Sequence, residues 1–203
     1  MNTIWPTCQS KLPKNIFNFT IRYINNSLPT RKNLHKWGIT SSPECSFCLY
    51  PETLLHVVAG CNSYLDRFTW RHDSVLNFIV NNLSSVHIQK IFADLPSFSN
   101  PSIITGDDYR PDILILTKDN TLYVLELTVG YETNLRNNIN RKNSKYKELI
   151  KELQKKFNCV KFINLSVSAL GVFDNQSAAF IDMLERLDVN RNHIKYYIKK
   201  MIN

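Results

Sequence analysis

Four side chains that favour a borderline metal ion fall within 17 residues: Cys45, Cys48, His56 and Cys61, spaced Cys-x2-Cys-x7-His-x4-Cys. Zinc takes four tetrahedral nitrogen and sulfur ligands, and a Cys-x2-Cys turn delivers two of them to one ion. Pro43 precedes Glu44–Cys48, as suits a tight knuckle; Thr53 is placed to cap a short helix presenting His56, and Gly60 to return the chain to Cys61. Buried free thiols with a core histidine are the competing reading, but four ligand types at workable spacing argue against chance. Four protein ligands leave no open position, so the expected Zn²⁺ is structural.

A second group could do phosphodiester chemistry. Asp112 opens an apolar run, and Glu126 lies in the middle of another, Leu125-Glu126-Leu127-Thr128. A carboxylate inside an apolar strand is costly unless a cation or hydrogen bonds compensate it. Two acids meeting across a hairpin suit one Mg²⁺, a hard ion bound by few carboxylates and its own waters. Lys142 and Lys145, spaced i, i+3, share a face of the helix expected to follow. Each residue also has a plain structural reading: Asp112 as a strand-start cap, Glu126 paired with a core lysine, the lysines as a solvated face.

These groups need elements to hold them. Helices are expected over 16–26, 28–38 and 62–83, and a loop over 94–109. Strands are expected over 112–117 and 122–129, joined as a hairpin through Asp119 and Asn120. Both runs are apolar on both faces, which places them centrally in a covered sheet. A polar helix over 133–157, a strand over 160–167 and helices over 177–187 and 191–201 complete the order. The fold class is α/β, or α+β with a mixed sheet. The expected domains are a helical region, 1–94, with the knuckle at 45–61, and a core over 95–203.

Five cysteines, an odd number without a secretory leader, do not read as a disulfide framework, and Cys8 and Cys159 have no ligand partner at usable spacing. No apolar run is long enough to span a bilayer, so no membrane partner is expected. The formal net charge is +8, and residues 134–161 alone hold nine basic residues against two acidic ones. A charge run often means only a solvated helix; beside a candidate metal site, a phosphate-tracking surface is the expectation. Trp37 and Trp70 could stack on bases, but core burial is the expectation for both.

Pro111-Asp112, a spacer and Glu126-Leu127-Thr128 resemble the PD-(D/E)xK nuclease pattern, with Thr128 where that pattern carries its lysine. In one branch the lysine sits on the following helix, in a Lys-x-x-Lys-Tyr motif, which Lys142-Asn143-Ser144-Lys145-Tyr146 matches. That branch is the restriction-like endonuclease of site-specific non-LTR retrotransposon proteins, also preceded by a Cys-Cys-His-Cys knuckle. Leu28-Pro29-Thr30-Arg31 with Trp37, Arg71-His72-Asp73, and Ser168-Ala169-Leu170-Gly171 match further motifs.

The resemblance implies a restriction-endonuclease-like core that nicks target DNA in the nucleus, leaving a 3′-hydroxyl to prime reverse transcription. It implies Mg²⁺ held by Asp112, Glu126 and the Leu127 carbonyl, with Lys142 and Lys145 as the catalytic cations. DNA is the implied partner, with element RNA as a further one; Arg71, His72, Arg110, Arg141 and Tyr146 are the expected nucleic-acid contacts. In that family a reverse transcriptase precedes the endonuclease, and no Tyr-x-Asp-Asp polymerase signature stands in this sequence. The expectation is therefore a C-terminal piece of such a polyprotein, a truncated copy or a domesticated remnant. The competing function is a zinc-stabilised nucleic-acid-binding module without catalysis.

Overall fold

The computed structural model describes residues 13–169, 171, 173–174, 178–190, 192 and 194. Cys8, and the expected helix over 191–201 save Asn192 and Ile194, lie outside the described residues. The chain divides into two compact units between Asp66 and Arg67.

In the first unit, helix α1 (Lys14–Ile24) and the short helix α2 (Arg31–Lys36) precede the cysteine segment. Thr30 starts α2, its hydroxyl accepting from the Asn33 amide at 3.3 Å. Arg31 then ties the helix to the knuckle. Its amide donates to Glu52 Oε1 at 2.8 Å, and its Nη1 to Ser46 Oγ at 2.9 Å. The Leu28–Arg31 motif is thus a cap followed by a strut.

The second unit is built on a mixed four-stranded sheet in the order β1-β2-β3-β4. Helix α3 (Leu65–Asn82) leads into β1 (Ile88–Ala93), then a four-residue helix α4 (Ser102–Thr105), β2 (Ile113–Thr117) and β3 (Thr121–Gly130). Helix α5 (Leu135–Leu153) crosses over to β4 (Cys159–Ser168), and α6 (Ala178–Arg186) follows. β1/β2 and β2/β3 are antiparallel, while β3/β4 is parallel, as a helical crossover requires.

The hairpin forms where the turn residues put it. Ile113 pairs with Leu125 and Leu116 with Leu122. Asn120 adopts a left-handed φ of 62°, which asparagine tolerates better than most residues. Thr117 Oγ1 accepts from the Thr121 amide at 3.1 Å and closes the turn.

Side-chain alternation then sorts the sheet into two cores. Ile113, Ile115, Leu125, Leu127, Ile163 and Leu165 pack with Leu76, Ile79 and Val80 of α3 and with Phe180, Met183 and Leu184 of α6. The other face buries Leu114, Leu122 and Val124 against Tyr146, Leu149 and Leu153 of α5. Both faces are covered, and β2 and β3 are central, as their continuous apolar runs imply.

Three features depart from the expectations. Strand β1 was read as no element. Its apolar residues, Ile88, Ile91 and Phe92, follow a helix-like spacing because the register against β2 shifts between Ile88 and Lys90. Helix α4 lies inside the stretch read as a loop, behind Pro101. The division near residue 95 is displaced to Asp66/Arg67, because Leu76, Ile79, Val80, Leu83 and Ala93 belong to the same apolar cluster as the sheet.

Leu125→Ala should destabilise the second unit by roughly 2–5 kcal/mol, the range for truncating a buried leucine. Trp70→Ala, at a side chain 73% exposed, should stay within about 0.5 kcal/mol of the native chain. Urea denaturation followed by circular dichroism measures both.

Candidate metal centre and candidate active site

The knuckle brings its four ligands together. The Cys45 and Cys48 sulfurs, one His56 ring nitrogen and the Cys61 sulfur all lie within 4.8 Å of one another. Local hydrogen bonds build the turn: the Cys45 amide donates to the Tyr50 carbonyl at 2.7 Å and the Leu49 amide to the Cys45 carbonyl at 3.1 Å. Leu49 takes a left-handed φ of 60° at its tip. Thr53 Oγ1 accepts from the His56 amide at 3.0 Å, the cap expected there, and His56 opens a single π-helical turn, His56–Gly60.

The spacing fits zinc. Cys48 Sγ and Cys61 Sγ are 3.7 Å apart, and His56 Nε2 is 3.2 Å from Cys48 Sγ. Zn–S bonds of ~2.3 Å give a tetrahedral S···S edge of roughly 3.8 Å. Nε2 is thus the His56 nitrogen that faces the sulfurs. The Phe47 amide lowers the Cys45 thiol pKa to about 7 against the effect of burial, favouring the thiolate that ligation needs. Cys45 and Cys61 are buried, whereas Cys159 is exposed. Among the described residues this is the one group of three or more such ligands.

The second constellation lies in the other unit, on the α5 face of the sheet. Glu126 is 3% exposed, in the middle of β3. Lys142 of α5 donates to Glu126 Oε1, while Glu126 Oε2 is buried without a hydrogen-bond partner. Burial raises the Glu126 pKa, the Asp112 charge adds to it, and Lys142 opposes both. Thr128, at the position where a lysine would stand in the unshifted motif, is buried, and its hydroxyl also has no partner.

Asp112 sits just before β2 and is held from two sides. The Leu127 amide donates to its Oδ2 at 2.6 Å, and His72 Nε2 of α3 lies 3.5 Å from the same oxygen. His72 Nδ1 is 3.1 Å from Asp73 Oδ1. Burial pushes the imidazole pKa down, but the Asp112 and Asp73 carboxylates outweigh it and hold the pKa up to about 9. His72, read from sequence as a nucleic-acid contact, instead faces the candidate metal-binding carboxylate, which favours its charged form.

Tyr146 also needs correcting. It was expected to touch nucleic acid but is fully buried, packed beside Phe162 and Tyr109, with its hydroxyl donating to the Arg110 carbonyl at 3.0 Å. Burial, and then the Glu126 carboxylate, push its pKa up. Lys145 is exposed, its Nζ 3.2 Å from the Tyr146 hydroxyl. Arg141 is exposed on α5, and the guanidinium of Arg110 pairs with Asp94 at 2.7 Å. Arg71 is half-buried, its guanidinium 5.7 Å from the Phe68 ring centroid. Trp37 and Trp70, expected in a core, are 44% and 73% exposed.

Sequence reasoning missed the polar floor beneath Glu126. Asn164 of β4 lies opposite Glu126 in the parallel register, and Ser166 lies opposite Thr128. Both are buried, with Ser166 Oγ donating to Asn164 Oδ1 at 2.9 Å. The signal was Asn164, Ser166 and Ser168 at every second position of an otherwise apolar strand.

Comparison with known proteins bears on the first unit. A family model described as zinc-binding in reverse transcriptase matches residues 1–70, about a third of the chain and all four ligands. No curated protein sequence matches the chain. Among solved structures, a chain from "Structure and function of phenuiviridae cap snatching endonucleases" is similar at 18% identity, with a TM-score of 0.36. The match covers 63% of this chain and 66% of that one, just under two thirds of its length. So loose a likeness carries no functional argument. No helix among the described residues is long and apolar enough to cross a membrane.

Purified protein should carry zinc, and Cys48→Ser should lose it while Cys159→Ser retains it, as elemental analysis reads. Zinc retained by Cys48→Ser would sink the assignment. NMR titration of the metal-free chain should find His72 near pH 9, falling toward its ordinary value of 6.5 in Asp112→Asn. Because the folded pKa is raised, the stabilisation from this contact is complete below pH 6.5 and lost as pH rises through about 9.

Proposed function

We propose that the second unit is a metal-dependent DNA endonuclease of the PD-(D/E)xK kind whose lysine has moved from β3 to α5. One observation carries the reading: a buried glutamate in a central strand, paired by a helix-borne lysine, with its second oxygen left without a partner. The Tyr146 hydroxyl also acts on this carboxylate and lowers its pKa, yet no hydrogen bond closes on Oε2, which leaves that oxygen open to a cation.

The residues present fit a divalent cation. Asp112 and Glu126 interact strongly enough for one to raise the other's pKa, and both held contacts of Asp112 fall on Oδ2. Asp112, Glu126 and the Leu127 carbonyl would hold the ion. Mg²⁺ bound there supplies polarisation of the scissile phosphate and a lower pKa for the attacking water.

The chain's own residues do the rest. The Leu127 amide and His72 fix the Asp112 carboxylate, so its orientation needs no reorganisation. Lys142, an ammonium with three donors, gives one to Glu126 and has two to orient water. Lys145, exposed one turn further along α5, stabilises charge on the phosphate. Arg136, Arg141, Lys147 and Lys151, exposed at other positions around α5, track the DNA backbone in a salt-dependent way.

The zinc-family match and the motif resemblance together support a retrotransposon setting. In it, the nick leaves a 3′-hydroxyl that primes reverse transcription in the nucleus. The zinc is structural, since the knuckle offers four protein ligands. A second reading, a nucleic-acid-binding module without catalysis, is favoured by the Lys142–Glu126 pair, in which a half-buried ammonium already neutralises the buried carboxylate.

With Mg²⁺, the wild type should nick supercoiled DNA and Glu126→Ala should not. Lys142→Ala should slow single-turnover cleavage by ~10²-fold, the scale of a positioned proton-transfer group. Its DNA affinity at matched salt should barely change, because one charge among many phosphate contacts is a small share. Lys151→Ala removes a side chain paired only with Glu148 on the exposed face and should leave the rate intact. No nicking by the wild type would favour the binding module.

A further inference from the structure

A lysine carried on a helix reaches a strand-borne glutamate only if the helix stops at one place over the sheet. A shift by one residue moves a helix ~1.5 Å along its axis and turns it ~100°. Either change would carry Lys142 away from Glu126. The buried apolar side chains of α5 run along its whole length, Leu135 and Ile139 in the N-terminal half and Tyr146, Leu149 and Leu153 in the C-terminal half. Such contacts are non-directional and tolerate sliding. Directional hydrogen bonds do not.

The structure supplies such bonds at one place. Asn164 Nδ2 donates to the Ile139 carbonyl at 3.3 Å and to Asn143 Oδ1 at 3.1 Å. Ile139 and Asn143 are one helical turn apart and bracket Lys142. Asn164 Oδ1 accepts from Ser166 Oγ at 2.9 Å, which fixes the amide's orientation. The side chain is 3% exposed and stands directly opposite Glu126 in the β3/β4 register. The strand that flanks the glutamate therefore grips the turn that carries its lysine.

We propose that Asn164 is the positioning residue that sets Lys142 on Glu126. It touches no reacting atom; it fixes the height and rotation of α5 through residues 139 and 143. This inference rests on the reading of Lys142 as the cation of a nuclease site. It explains how a motif with Thr128 in place of lysine keeps a cation beside its carboxylate: the ammonium comes from α5, and β4 holds α5 in place.

The test uses the full chain and two readouts. The first is amine-reactive footprinting, following acylation of Lys142 and Lys151 by peptide mass spectrometry with no substrate present. Asn164→Leu should raise the labelling rate of Lys142 several-fold by releasing it from Glu126, and leave Lys151 unchanged. The second is single-turnover cleavage at saturating DNA. Asn164→Leu should lose up to ~10²-fold in rate, the effect of displacing a catalytic group by about an ångström. The double variant Asn164→Leu/Lys142→Ala should be no slower than Lys142→Ala alone, since Asn164 acts through that lysine.

Asn143→Ala removes one of the bonds from the helix side, at a position where alanine favours helix, and serves where Asn164→Leu does not fold. Unchanged Lys142 labelling in the folded variants, or losses that multiply in the double variant, would overturn the proposal. Increased labelling in a chain whose wild type does not cleave DNA would uphold the placement and defeat the nuclease reading.

Discussion

The second unit turns on a carboxylate taken out of water in the centre of a sheet. Glu126 is flanked by Leu125 and Leu127 and is almost wholly buried. An isolated buried charge is untenable, so the fold must bring a cation to it or raise its pKa until it binds a proton. Here burial and the neighbouring Asp112 push toward the proton, and Lys142 pushes back. Removing the cation from such a pair leaves the carboxylate buried and uncompensated, typically a loss of 3–5 kcal/mol. Conversely, a buried ion pair is a weak way to stabilise a core, and an aliphatic pair would serve stability at least as well. What the pair does provide is a carboxylate and an ammonium held together over the middle of β3.

Topology follows from that need. β3 and β4 run parallel, so the chain must cross over the sheet, and the crossover element is α5. The inner face of the helix is apolar where it covers Leu122 and Val124, and mixes Leu135 and Ile139 with Lys142 and Asn143 where it passes Glu126 and Asn164. The antiparallel hairpin brings Asp112 beside Leu127, and α3 reaches it with His72 from the other face. Three elements from both layers therefore converge on two carboxylates. Glu126, Lys142 and His72 stand on regular elements and Asp112 on the residue just before β2, which suits a site that must hold its geometry.

Much of this was legible in sequence because it is written in short-range pattern. The hairpin showed in two apolar runs around Asp119-Asn120, the buried acid in the run that contains it, and the knuckle in four ligand types at set spacing. What was not legible depends on long-range contact. β1 hid because its register shift breaks the alternation that identifies a strand. His72 and Asp112 are forty residues apart in sequence, and nothing local links them. Tyr146 follows Lys145 in a basic stretch and reads as surface, yet the helix rotation that puts Lys142 on Glu126 turns it inward. Trp70 is the reverse, an aromatic in a helical pattern that tertiary packing leaves outside.

The two units are held by different means. In the second, strands and helices share large apolar clusters on both faces of the sheet. In the first, the described buried residues are Tyr23, Thr30, Cys45, Leu54 and Cys61, too few to form a core of that kind. Two of the five are cysteines of the knuckle. A small unit with so little apolar burial needs a staple, and a structural zinc contributes its binding free energy directly to folding. The Thr30 cap and the Arg31 strut then transmit that rigidity to α2, since Arg31 grips Ser46, between the first two ligands, and Glu52, between the second and the third. The metal thus takes the part in one unit that the hydrophobic effect takes in the other.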